Sequence, residues 1–136
     1  MRVMRLQRIR AANWTVLAVC TDRGDCPLLA FLDGLSGDLA RDGRRLLALL
    51  DRVAAGGPPR NVGVSHQLGE GIWEFVRGSL RALWFFDEGR TVIITHGFVK
   101  RTRKTPSAEI ERAVAYRKAY YRDRRRGDIR IRGTGS

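Results

Sequence analysis

The stretch GFVKRTRK at residues 97–104 holds Lys100, Arg101, Arg103 and Lys104 without one acidic side chain. It runs into Thr105, a good N-cap, and Pro106, which fits the first position of a helix. Glu109 then falls near the positive end of that helix's dipole. Four cations beside the free N–H groups of a helix start form a cradle for phosphate, although a solvated basic loop reads the same way. Upstream, Glu74, Arg81 and His96 lie on strand-like segments. Turns at 78–79 and 87–90 that pair Arg77 with Leu80 and Phe86 with Thr91 put Arg81 opposite both Val76 and His96. One face then carries Ile72, Glu74, Val76, Arg81, Leu83, Phe85, Val92, Ile94, His96 and Phe98. The other carries Trp73, Phe75, Ala82, Trp84, Phe86 and Ile93, and a single β-bulge would flip part of the assignment. The polar set predicts phosphodiester chemistry: Arg81 and Lys100 neutralise charge on phosphate while His96 moves a proton. A cross-strand Glu74–Arg81 ion pair with a structural His96 is the alternative. His66, near the turn at 69–71, stands outside this set.

The elements that must position these groups follow from periodicity. Residues 1–13 read as a basic lead-in. Residues 14–21 form a strand by their β-branched and aromatic content, ending in the turn formers Asp22, Arg23, Gly24 and Asp25. Asp25 is placed to cap a short helix through Leu32, with Pro27 in its first turn. Leu39, Leu46, Leu47, Leu50, Val53 and Ala54 recur at helical spacing between Ser36 and Gly56, before the breaker Gly57, Pro58, Pro59. Alternation then predicts strands over 72–77, 80–86 and 91–99. A last helix from Pro106 packs Ile110, Ala113, Val114, Arg117, Tyr120 and Tyr121 on the sheet. The expected fold is α+β, a small single domain over 14–122 in the order β-α-α-β-β-β-α. It has an N-terminal strand and α-hairpin, a mostly antiparallel twisted sheet and a C-terminal helix, with residues 123–136 as a basic mobile tail.

Composition bounds the partners. A chain of 136 residues, 43% apolar and 29% charged, supports one hydrophobic core and is neither disordered nor a membrane protein in bulk. Net charge is +12, carried almost entirely by arginine, since Lys100, Lys104 and Lys118 are the only lysines. Guanidinium forks suit phosphate, so nucleic acid or an acidic partner is expected; an Arg-favouring GC-rich genome accounts for the choice of cation alone. Residues 69–136 carry +8 of the surplus. Cys20, Cys26, His66 and His96 do not make a four-ligand zinc pattern, so no metal and no cofactor is expected. No apolar run approaches the roughly 18 residues of a membrane span, and the Arg-rich start ending at Cys20 is a poor signal peptide. A reduced, cytoplasmic protein is the expectation.

The runs LGEGIWEF (68–75), LRALWFFDEGRTVIITHGFVKRTRKTP (80–106) and AEIERA (108–113) resemble the HigB-like, phage-derived branch of the RelE/ParE toxin superfamily. HGFVKRTRKTP followed by EIERA is the most specific part, and PLLAFLDGL (27–35) agrees more loosely. The resemblance implies the toxin of a type II toxin–antitoxin pair, an endoribonuclease that cleaves mRNA on the ribosome. A HigA-like helix-turn-helix antitoxin would silence it in a hetero-oligomer. Carried over, Arg81 contacts the scissile phosphate and Lys100 and Arg101 are the basic pair after the last strand. Arg103, Lys104, Arg112 and Arg77 complete the RNA-binding set, and Tyr116, Tyr120 or Trp84 would stack on bases. The chain departs from the pattern at Val76, where relatives carry arginine; Arg77 is one position late and points to the other face. The alternatives are a ParE-like, non-nucleolytic inhibitor of DNA gyrase and a degenerate RNA- or antitoxin-binding module.

Overall fold

In MRLQRIRA, Met4 and Leu6 turn inward and Arg5 outward, so most of the supposed lead-in is a strand, β1 (Met4–Ala11). The computed structural model describes residues 4–133; residues 1–3 of the lead-in and 134–136 of the tail lie outside the described residues. The chain continues through β2 (Thr15–Val19), α1 (Pro27–Asp33), α2 (Gly37–Gly56), β3 (Ser65–Gly69), β4 (Ile72–Arg77), β5 (Leu80–Asp87), β6 (Thr91–Val99), α3 (Ser107–Arg126) and β7 (Ile129–Arg132). Strands β1, β3 and β7 are additions to the expected order. The basic tail is not a free segment up to Arg132: α3 runs on to Arg126, Gly127 closes it at φ +74°, and β7 joins the sheet. Arginines at 124–126 favour that end of the helix, where the dipole is negative.

The seven strands form one sheet in the order β3-β4-β5-β6-β2-β1-β7. It is mixed: four of its six pairings are antiparallel, as expected for most of the sheet, while β2 pairs with β6 and β1 with β7 in parallel. Both faces are covered. Helices α1 and α2 bury Leu28, Leu46, Leu49, Leu50 and Val53 against Val16, Phe75, Trp84, Val92 and Ile94. Helix α3 packs Ala113 and Tyr120, with Val114 and Tyr121 at the margin, on Leu6, Leu17, Ile72, Leu83, Phe85 and Ile93. Each fully buried aliphatic or aromatic side chain contributes about 1.5–3 kcal/mol, so both layers are needed to hold the sheet.

Two expected caps are absent. Asp25 does not cap α1; Cys26 occupies that position without a side-chain bond, while the Asp25 N–H donates to Thr21 Oγ1 at 3.2 Å. Thr105 does not cap α3, whose N-cap is Pro106.

Register decides the polar face. Arg77 pairs with Leu80 and Val76 with Arg81, as the first turn predicts. The second turn is one residue tighter: Asp87, not Phe86, pairs with Thr91, so Val92 and Ile94 face the α-hairpin and Ile93 faces α3. A register shift beside Leu83 and Trp84 then inserts one extra β6 residue, Thr95. Arg81 is therefore opposite Phe98, and His96 is opposite Leu83. The bulge reverses the alternation, which returns His96 and Phe98 to the α3 face after the first half of β6 has been flipped.

Candidate functional site

Glu74 projects from the middle of β4 and is fully buried. A buried carboxylate persists only with partners. Its Oε1 accepts from His66 Nε2 at 2.9 Å, and its Oε2 accepts from Thr105 Oγ1 at 2.5 Å. Arg81 Nε lies 3.7 Å from Oε1. His66 is directly opposite Glu74 in the β3–β4 ladder, and its Nδ1 lies 2.9 Å from the Val62 carbonyl. Both ring nitrogens thus face oxygen atoms, and the ring is held between β4 and the segment before β3.

Arg81 is held from the other side as well. Its Nη1 donates to the carbonyls of Gly78 at 2.8 Å and Leu80 at 2.9 Å, fixing the guanidinium over its own hairpin turn, and 14% of the side chain stays exposed. The same turn receives the basic elbow, because the Lys100 N–H donates to the Ser79 carbonyl at 2.8 Å. Thr105 closes the elbow's far end on Glu74. The segment carrying the four cations is thereby pinned at both ends beside Arg81. Lys100 is half-buried, and Arg101, Arg103 and Lys104 are exposed. The Thr102 hydroxyl donates to the Lys104 carbonyl at 2.7 Å and shapes the bend between them.

His96 sits elsewhere. It is 1% exposed beneath α3, with Nε2 3.2 Å from Glu109 Oε1 and Nδ1 2.9 Å from Thr95 Oγ1. Burial, and then the positive charge of Arg112, push its pKa below the usual imidazole value, with Glu109 opposing. The neutral ring donates from Nε2 to Glu109 and accepts at Nδ1 from the Thr95 hydroxyl. Arg112 is exposed on α3 with its guanidinium 5.7 Å from the Tyr116 ring centroid. Arg77 lies on the opposite face, with the α-hairpin core. Trp84 and Tyr120 are buried in the two cores, so neither offers a face to a base; Tyr116 is half-buried.

The structure thus fastens the elbow carrying Lys100, Arg101, Arg103 and Lys104 to the Arg81 hairpin turn and to Glu74, covers His96 with α3, and leaves Arg77 on the other face. Sequence reasoning missed His66 and the role of Thr105. The available signal for His66 was its place across the Gly69–Gly71 turn from Glu74, hidden because residues 65–69 lack an apolar alternation. Among the described residues no group of three or more His, Cys, Asp or Glu is placed to hold a metal ion. Cys20 and Cys26 are free and buried, and burial raises both thiol pKa values. No helix among the described residues is long and apolar enough to cross a membrane.

The sequence profile of the family described as Phage derived protein Gp49-like (DUF891) matches residues 30–118, from within α1 to just past the middle of α3. The chain belongs to this family. The Gp49-like proteins are a RelE/ParE-like toxin family, consistent with a toxin–antitoxin module in which the toxin pairs with an antitoxin. The matched segment contains every residue of the Glu74 cluster and the whole basic elbow. No curated protein matches the chain.

Proposed function

We propose that this Gp49-like protein is a HigB-like toxin that cleaves mRNA on the ribosome without a metal ion. A HigA-like helix-turn-helix antitoxin holds it silent in a toxin–antitoxin hetero-oligomer. One observation carries the reading: an elbow of four cations and no acid is fastened through Glu74 to a strand arginine on the same face.

In the proposed reaction the RNA 2′-oxygen forms a bond to its own phosphorus, and the bond to the 5′-oxygen breaks. The products are a 2′,3′-cyclic phosphate and a 5′-hydroxyl. Negative charge accumulates on the phosphate oxygens, where Arg81, Lys100 and Arg101 face it. Arg103 and Lys104 hold the flanking backbone. His96 is covered by α3 and His66 has both ring nitrogens engaged, so the 2′ proton leaves, and the 5′-oxygen is protonated, through water. His96 acts in this scheme by seating the first turn of α3 through Glu109, which fixes the elbow. In-line placement and charge neutralisation supply the rate.

Inducing the protein without its antitoxin and mapping RNA 5′ ends tests this. Cleavage within translated codons, lost in Arg81→Ala while antitoxin binding survives, is the expected result. Intact RNA with altered DNA supercoiling would replace this reading with gyrase inhibition, and unaffected growth would leave only a binding module.

A further inference from the structure

Arg77 leaves β4 on the α-hairpin side and enters a cleft of about 270 Å³ lined by Arg45, Ala48, Leu49 and Arg52 of α2. Three guanidiniums share this small opening. Arg45 is paired with Asp42 at 3.1 Å, whereas among the described residues neither Arg52 nor Arg77 has an ion pair to a carboxylate. Arg77 satisfies one N–H on the Val76 carbonyl at 3.2 Å. Burial, followed by the charges of Arg45 and Arg52, lowers the pKa of Arg77, and the single carboxylate paired at this cluster, Asp42 on Arg45, leaves the three guanidiniums in excess. Like charges held this way destabilise the free protein, and an anion between them relieves the repulsion.

The cleft's position says which anion. Arg77 is the last residue before the Gly78–Ser79 turn, the same turn whose carbonyls receive Arg81 and Lys100 from the opposite face. One hairpin tip therefore separates two cationic surfaces, and only a ligand with repeated negative charges along its length engages both. We propose that the Arg45–Arg52–Arg77 cleft is a second phosphate-binding site, which holds the backbone of an RNA strand after it rounds the 78–79 turn from the basic elbow. This rests on the RNA-cleaving reading above and extends the contact to a helix that reading leaves idle.

The test is binding of a short, uncleavable 2′-O-methyl oligoribonucleotide by fluorescence anisotropy across a salt series. The proteins compared are the unsubstituted chain, Arg52→Gln/Arg77→Gln, and Lys100→Gln/Arg101→Gln. Affinity should fall in both variants, and each plot of log affinity against log salt should become shallower by about 1.4, two contacts at about 0.7 each. Circular dichroism checks folding, and if Arg77→Gln disturbs it, the exposed Arg52→Gln alone should reduce the slope by about 0.7. An unchanged slope in Arg52→Gln/Arg77→Gln, with a reduced one in Lys100→Gln/Arg101→Gln, overturns this inference and leaves the proposed function standing. No RNA binding by the unsubstituted chain overturns both. Weakened binding of an acidic antitoxin segment, with RNA affinity intact, reassigns the cleft to a protein ligand and overturns it also.

Discussion

The Nε of Arg81 lies 3.7 Å from Oε1 of the fully buried Glu74 and makes no hydrogen bond of its own. The pair is electrostatic rather than hydrogen-bonded, and Glu74 completes its valence with His66 and Thr105 instead. Replacing Glu74 by Gln leaves the Arg81 guanidinium facing a neutral amide, and breaking a buried pair this way costs about 3 kcal/mol. The double variant Glu74→Gln/Arg81→Met should lose less than the sum of the single changes, because it removes both halves of the pair. Urea unfolding midpoints of the three variants measure this coupling; strict additivity would show the two groups to be independent.

Thr105 fastens the elbow. Thr105→Val keeps the shape, deletes the donor to Glu74 Oε2, and should cost about 1.5–3 kcal/mol, the range for a bond to a charged group. Amide exchange should rise over residues 100–105 in this variant and stay unchanged in the α-hairpin.

His96 makes stability depend on pH. Its folded pKa is below the unfolded value of about 6.5, so the unfolded chain binds more protons in the window between the two. Stability is full above the unfolded value and falls as pH drops from there toward the folded value. Thermal melts of the unsubstituted chain should decline across that window, and His96→Gln should flatten the decline. An equal slope in His96→Gln would assign the effect to another group.

Gly97 lies where the α1 side chain Phe31 meets β6. A Cβ there would come within 2.6 Å of the Phe31 ring. Gly97→Ala should destabilise by about 1–3 kcal/mol through overpacking. The companion Phe31→Leu should recover part of the loss in guanidinium unfolding.

Truncation after Asp128 removes β7, which pairs with β1 and places Ile129 against the second core. Losing a half-buried isoleucine and an edge strand should cost roughly 1–2 kcal/mol. A truncated chain with an unchanged melting temperature would show β7 to be dispensable.

Local pattern made much of this protein legible in its sequence. The bounds of β4 and β6, the α2 stripe, the α3 stripe and the acid-free elbow all follow from periodicity, breakers and charge, which act between neighbours along the chain. The parallel partners were not legible. β1 and β7 are dense in arginine and read as solvated tails, and only pairing with β2 and with each other makes them strands. Whether Arg81 and the elbow share a face was likewise undecided, because one residue of slip in the second turn moves half of β6 to the other side. The Thr95 bulge cancels that slip, and no side chain nearby announces it. The Glu74–Arg81 pair was one of the sequence's two readings, but tertiary structure alone added His66 and Thr105 to Glu74. A buried carboxylate draws its counter-charges from whatever strands the fold brings around it, and sequence distance sets no limit on those contacts.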